Sequence, residues 1–269
     1  MMDDRLKDIE KSLVKKFKKT IYKRFINAVK DFELIKEGDS IAVCISGGKD
    51  SFLLAKCMQE LKIHSKYKFD LKFIVMNPGY AKVNLDKIKE NLNLLGIDAE
   101  IYDSNIFEDI KDQNSMCYLC ARKRRGSLYA KAQSLGCNKI ALGHHFNDVI
   151  ETILLNMIYA GEYKTMMPKL KSKHFKDMEL IRPLYYVKEE DLIKFAKYNK
   201  LEFLDCACTI TKNVLGKRIE MKKLAEELIS MNENADINIL RSSKNVCINQ
   251  VLGYKTEDEE VSFLDNYGG

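Results

Sequence analysis

The 269-residue chain has no apolar run of about 18 residues, the length a membrane helix needs, and its opening is charged where an export signal would be apolar. Neither a membrane span nor export is expected, and the expected location is cytoplasmic. No internal repeat is visible, and with 3 prolines and 13 glycines no linker rich in Pro, Gly or Ser interrupts the chain. One catalytic domain should fill most of it, long enough to bury a substantial core. The Gly-x-x-x-x-Gly-Lys-Ser/Thr phosphate loop is missing, because no glycine precedes Gly47 at the required spacing and Asp50 stands where the hydroxyl residue would follow Lys49. Nor does any Cys-x-x-Cys pair occur before Cys117 or after Cys208, which excludes zinc modules of that kind at either end.

What is present centres on residues 41–51. The β-branched run of Ile41, Val43 and Ile45 predicts a strand that stops at Ser46-Gly47-Gly48-Lys49-Asp50-Ser51. Gly47 and Gly48 let the backbone turn with its N–H groups exposed, and a helix starting near Asp50 adds a positive dipole end. Strand, loop and helix together predict an anion site.

Around that loop, helical and strand-like patterns alternate. Phe52–Leu61 reads as a helix, Phe69–Met76 as a strand, and Leu85, Ile88, Leu92 and Leu95 as a helical stripe ending at Gly96. A strand through Ile101, a helix from about Leu119 to Leu135 and a strand from Lys139 to Leu142 follow, the last stopping at Gly143-His144-His145-Phe146-Asn147-Asp148. Asn77-Pro78-Gly79-Tyr80 lies at a strand end and is a candidate border for a nucleotide base. Beyond Arg182 a helix from Glu189 and a strand near Phe203 are expected, the latter delivering Cys206 and Cys208. The alternation predicts an α/β fold with a doubly wound parallel sheet, its ligands at the carboxyl ends of the strands.

The net charge of +6 is unevenly spread. Lys11, Lys15, Lys16, Lys18, Lys19 and Lys23 are prominent in the first thirty residues, where Leu6, Ile9, Leu13, Phe17, Ile21 and Phe25 recur at helical spacing. This predicts a basic amphipathic helix over 1–32, one face packed and the other a candidate for RNA. The catalytic domain is placed at 33–212, a short helical extension at 213–254, and an acidic, loosely docked tail at 255–269.

Eight cysteines in a chain without a secretory signal point to metal or redox chemistry more than to disulfides. Cys44, Cys57, Cys137 and Cys247 read as small core residues, while Cys117-Tyr-Leu-Cys120 and Cys206-Ala-Cys208 are grouped. Spacing alone leaves open a four-thiolate zinc site, a three-thiolate iron–sulfur cluster with one open iron, and a redox dithiol.

The loop Ser46-Gly47-Gly48-x-Asp50-Ser51 resembles the pyrophosphate loop of the ATP-pyrophosphatase superfamily. Cys117-x-x-Cys120, Arg124-Arg125-Gly126, Gly143-His144-His145-x-x-Asp148, Thr152, Asn156, Pro168-Lys169-Leu170 and Arg182-Pro183-Leu184 extend the likeness. From about Glu33 to Cys208 the chain resembles the tRNA 2-thiocytidine synthetase family. The resemblance implies a Rossmann-like core and an ATP-dependent tRNA sulfurtransferase with a 4Fe-4S cluster on Cys117, Cys120 and, of the Cys206/Cys208 pair, Cys208. It implies ATP held by Ser46, Gly47, Gly48, Lys49, Asp50, Ser51, Gly143 and His144, directly or through Mg2+, with Arg124, Arg182 and Asp148 in catalytic roles. Expected partners are tRNA and a sulfur donor, either sulfide or the persulfide of a cysteine desulfurase, with a homodimer left open. Asn147 departs from the family's His-His-x-Asp-Asp, and Cys206-x-Cys208 from its more frequent Cys-x-x-Cys. Two competing readings are an ATP-pyrophosphatase activating another RNA uridine or a small-molecule carbonyl by persulfide transfer, and a zinc-stabilised nucleotide-binding module.

Overall fold

The computed structural model describes residues 2–104, 116–204 and 212–267; within these, the side chains of 2–3, 116–121, 212–215 and 266 are outside the description. The strand following the basic segment, β1 (Ser40–Ile45), sits at the centre of the sheet. Its apolar run has no polar alternation because both faces are covered. Ile41, Val43 and Ile45 enter one core with Leu54 and Leu184, while Ala42 and Cys44 enter another with Ala132 and Ile140.

The remaining strands are β2 (Asp70–Asn77), β3 (Ala99–Asp103), β4 (Lys139–Ala141), β5 (Lys169–Lys171) and β6 (Glu179–Ile181), joined in the order β3-β2-β1-β4-β6-β5. Neighbours are parallel except at the edge, where β5 runs antiparallel to β6. The helices in chain order are α1 (Met2–Lys11), α2 (Lys23–Asp31), α3 (Lys49–His64), α4 (Lys82–Leu94), α5 (Met116–Ser134), α6 (Phe146–Leu155), α7 (Glu189–Tyr198), α8 (Lys212–Met231) and α9 (Ala235–Ser242). A mostly parallel sheet covered by helices bears out the expected α/β class.

Three features differ from the sequence reading. The N-terminal segment packs one face as expected, with Leu13, Ile21 and Phe25 fully buried, but it is not one regular helix: two π-helical stretches, Ser12–Lys16 and Lys18–Tyr22, join α1 to α2. Residues 201–204 form no strand; Leu204 donates its N–H to the Gly47 carbonyl at 3.2 Å, the Glu202 carbonyl accepts from Asn91 at 2.9 Å, and Phe203 stacks on Phe52. The loop and α4 have taken the backbone groups a sheet neighbour would need. Near the C-terminus, Gly253–Lys255 and Glu260–Ser262 pair as a hairpin where acidic composition suggests only a loose tail, and Cys247, expected in the core, is exposed.

Candidate active site

Strand order reverses between β1 and β4, which run side by side with Ile41 opposite Lys139. In a sheet of this kind the crevice beyond the carboxyl ends of two such strands is where ligands bind. Ser46-Gly47-Gly48 leaves β1 there, and Leu142-Gly143-His144 leaves β4. Gly47 has φ +93°, a left-handed conformation that side chains disfavour. Gly48 caps α3 without any side-chain hydrogen bond, so the first N–H groups of that helix remain available to an anion.

The two loops meet closely. A Cβ on Gly143 would lie 3.0 Å from the Ser51 nitrogen and 3.1 Å from the Asp50 carbonyl carbon, so glycine is what lets β4 approach the first turn of α3. Inside the phosphate loop, Ser51 Oγ donates to the Gly48 carbonyl at 2.8 Å and accepts from the Ser46 N–H at 3.1 Å. These bonds fix the loop shape before any ligand arrives.

A pocket of about 330 Å3 opens at this junction. Ser46 lines it from the loop after β1, Asp50 and Ser51 from the first turn of α3, Gly143 and His144 from the turn after β4, Asp148 from the first turn of α6, and Arg124 from α5. Tyr80 adds a further wall and donates its hydroxyl to the Ser46 carbonyl at 3.4 Å, which brings the Asn77–Tyr80 turn to the pocket as a strand end should. Of the four consecutive cations at 122–125, Arg122 and Arg125 are exposed while Arg124 is half-buried and faces the pocket.

Not every expected residue lines it. Lys49 is drawn aside, with Nζ 3.3 Å from both Asp50 Oδ1 and Glu189 Oε1. Gly47 and Gly48 shape the turn and are not among the pocket walls. Arg182 is buried at 4% exposure, donates Nη1 to the Met167 carbonyl, and keeps a buried Nε without a hydrogen-bond partner. Burial, followed by the Arg125 cation, lowers its pKa to about 10.

The acid–base groups differ sharply. Burial is the largest influence on His144 and, with help from Arg182 and Arg218 against the pull of Asp148, lowers its pKa to about 4. The imidazole is therefore neutral near pH 7, and its buried Nδ1 has no hydrogen-bond partner. Burial and the neighbouring Asp148 raise the Asp50 carboxyl, with His145 and Lys49 opposing. Asp148 is also pushed up by burial, but His145, His144 and Arg218 outweigh this and hold it below its usual range. One Asp148 oxygen accepts the His145 N–H at 2.9 Å, capping α6, and the other lies 3.8 Å from Arg218 Nη1. Asn147 accepts the Glu189 N–H at 3.0 Å and so ties the start of α7 to that of α6, a structural use of the departing residue.

Arg218, Lys222 and Glu189 were not recognisable from the sequence. Arg218 and Lys222 are one turn apart on α8; Lys222 Nζ grips Glu189 Oε2 at 2.6 Å, and Glu189 holds Lys49 with its other oxygen. Nothing local separates that pair from the other lysines of a solvated helix face.

The cysteine groups lie where side chains are not described. Cys117 and Cys120 fall in the opening turns of α5, three residues apart and hence on one helix face, whereas Cys206 and Cys208 are outside the described residues. Cys120 precedes the pocket-lining Arg124 by four residues, about 6 Å of helix rise. Cys206 follows by two residues the Leu204 that is bonded to Gly47. Cys44, Cys57 and Cys137 are buried thiols whose pKa values burial raises, which suits packing and not thiolate ligation. Among the described residues no group of three or more His, Cys, Asp or Glu side chains is placed to hold a metal ion, and no helix is long and apolar enough to cross a membrane.

Comparison with known proteins agrees with this geometry. Residues 14–217 match the PP-loop domain family. The tRNA-cytidine(32) 2-sulfurtransferase of Geobacter sulfurreducens is 37% identical over 233 residues, covering 84% of this chain and 90% of the relative. The protein of the same name from Aeromonas salmonicida is 40% identical over 217 residues, covering 78% and 68%. In fold, the chain is similar to the U34-tRNA thiolase NcsA from Methanococcus maripaludis, solved with its 4Fe-4S cluster, at a TM-score of 0.67 and 22% identity, covering 87% of this chain and 80% of that one. The chain belongs to the PP-loop family and, within it, to the family of the tRNA-cytidine(32) 2-sulfurtransferases.

Proposed function

We propose that this chain is an ATP-dependent tRNA sulfurtransferase that replaces the C2 oxygen of a cytidine with sulfur. The observation that carries the reading is convergence: the helix bearing Cys117 and Cys120 places Arg124 in the phosphate-loop pocket, and the chain leading to Cys206 and Cys208 is tied to Gly47. ATP chemistry and thiol chemistry thus meet at one rim.

ATP lies across β1 and β4 with its phosphates at the N-terminus of α3, where free N–H groups and the helix dipole receive negative charge. Ser46 and Ser51 contribute hydroxyls, and Asp50 and Asp148 are a hard-oxygen pair suited to Mg2+ shared with substrate phosphates. The C2 carbonyl oxygen of the extruded pyrimidine attacks the α-phosphorus, the bond to the β-phosphate bridge breaks, and pyrophosphate leaves. Arg124 and Arg218 are the cations placed to offset charge on the transferring phosphoryl group, and Arg182 orders the turn behind them. Neutral His144 offers Nδ1 as a hydrogen-bonding group to the nucleotide without adding charge.

A sulfide sulfur then attacks C2, the C2–O bond breaks, and AMP departs with the original oxygen. The donor set fits a 4Fe-4S cluster held by Cys117, Cys120 and Cys208, since the buried thiols elsewhere are kept protonated. When bound, such a cluster would supply the centre at which sulfur from the donor is held and activated for transfer.

Asp50→Ala tests the reading: it should abolish tRNA-dependent pyrophosphate release while the thermal unfolding midpoint stays near that of the wild type. Wild-type pyrophosphate release by this variant sinks the phosphate-loop assignment.

A further inference from the structure

A second concave surface lies on the N-terminal segment, apart from the residues that line the ATP pocket. A groove of about 620 Å3 runs between residues 5–16 and the end of α7 at residues 198–200. Arg5, Lys11, Lys15, Lys16 and Lys200 line it, against Asp8 as the acidic group in its walls. Lys11, Lys15, Lys16 and Lys200 are exposed and make no carboxylate pair among the described residues.

Like charges at i, i+4, as Lys11 and Lys15 are, destabilise a bare helix. They are nonetheless concentrated where the helix is least regular. The π-helical turn Ser12–Lys16 turns Lys15 and Lys16 together toward α7, and π-bulges are frequent at functional sites. The bulge is anchored: buried Ser12 donates Oγ to Asn199 Oδ1 at 3.1 Å, and Arg5 Nη2 reaches the Lys200 carbonyl at 3.2 Å. Lys16 Nζ sits 3.8 Å from the centre of the Tyr198 ring, which remains 54% exposed. A ring beside a rail of cations suits a nucleic-acid backbone, with one base able to stack. The start of α7 is at Glu189, which holds Lys49 of the phosphate loop, so the groove is about 14 Å of helix rise from that rim.

We propose that this groove is a second RNA site that binds backbone phosphates of the tRNA remote from the nucleotide being modified. The inference rests on tRNA being the substrate. Its ligand is the phosphodiester chain, and its contribution is affinity and orientation, without base-specific readout.

The test is binding of unmodified tRNA to the full chain across a salt series. K11Q/K15Q/K16Q is compared with K18Q/K19Q/K23Q, which removes equal charge from exposed positions of the same segment outside the groove. The groove variant should lose about 0.7–0.9 in log–log salt slope per lost contact, about 2 to 3 in all if the three lysines each touch a phosphate, and bind about 100- to 500-fold more weakly at 0.1 M salt. The control variant should stay within a few-fold of the wild type. An unchanged slope in the groove variant, or equal losses in both, overturns the groove while leaving the sulfurtransferase reading standing. Absence of tRNA binding by the wild type overturns both. If the groove variant keeps its salt slope but loses thiolation only when a protein delivers the sulfur, the groove docks an acidic protein and the RNA proposal falls.

Discussion

Gly143→Ala isolates the contact that joins the two halves of the pocket. The added methyl would meet the Ser51 nitrogen at 3.0 Å and the Asp50 carbonyl carbon and Ser51 Cα at 3.1 Å. All three are backbone atoms, so no rotamer change relieves them. Either β4 or the first turn of α3 must retreat by several tenths of an ångström, and overpacking of this kind costs about 1–3 kcal/mol. At about 2–4 °C per kcal/mol for a domain of this size, the unfolding midpoint should fall by several degrees. Pyrophosphate release should fall further, by about 100-fold, because Asp50 and Ser51 would sit off their working positions. Gly126→Ala is the control: it lies within α5, a Cβ there meets nothing within 4 Å, and removing a helical glycine should stabilise by up to about 1 kcal/mol. Differential scanning fluorimetry and a coupled pyrophosphate assay read both variants. A Gly143→Ala protein with wild-type midpoint and turnover would refute the close approach of the β4 turn to the phosphate loop.

Burial, and after it the Asp148 charge, raises Glu151 to about 7 against the pull of Arg218 and Lys222. The unfolded chain ionises this carboxyl at the ordinary value while the folded chain resists, so stability is highest at low pH and falls as pH rises through about 4.5 to 7. Glu151→Gln should therefore raise the unfolding midpoint at pH 8 and leave it unchanged at pH 4.5; the same shift at both values contradicts the assignment. Arg218→Ala removes a half-exposed cation 3.8 Å from Asp148, and should slow pyrophosphate release by about 10-fold or more with little change in midpoint. Equal turnover would make Arg218 merely structural. After anaerobic purification, Cys208→Ala should lose broad visible absorption and thiolation while retaining ATP binding, and Cys206→Ala should keep much of both. Bleaching by Cys206→Ala alone moves the third ligand to Cys206, and stoichiometric zinc without iron in the wild type favours the zinc-stabilised module.

The central strand and its glycine loop were legible because a doubly buried strand is apolar throughout and because the turn after it demands left-handed backbone, which Gly47 supplies. Helix positions followed from their stripes, as with Ile88 and Leu92 of α4. The edge pair β5–β6 was harder, since three-residue strands carry too little pattern. The periodicity of Ile9, Leu13 and Phe17 marked the packed face of a helix but not what it packs against, the main core around β1. Residues 201–204 look strand-like by composition, and only tertiary contacts to Gly47 and Asn91 divert them. Arg124 was singled out by the resemblance carried in Arg124-Arg125-Gly126, and the packing of α5 makes it the one of four successive charges that lines the pocket. Arg218 and Lys222 gave no such signal, because their partners are brought to them only by tertiary contacts, Asp148 by the packing of α8 on α6 and Glu189 by the tie of α7 to α6 through Asn147.

Nucleoside mass spectrometry tests the central claim most directly. Purified protein, reconstituted anaerobically with iron and sulfide, is incubated with unmodified tRNA, ATP, Mg2+ and a sulfide source, and the digested nucleosides are compared with a reaction lacking ATP. The account predicts 2-thiocytidine in the complete reaction, AMP and pyrophosphate formed with it, and none of the three with Asp50→Ala. A thiolated uridine in its place, or pyrophosphate released without any thionucleoside while the cluster is intact, would contradict it.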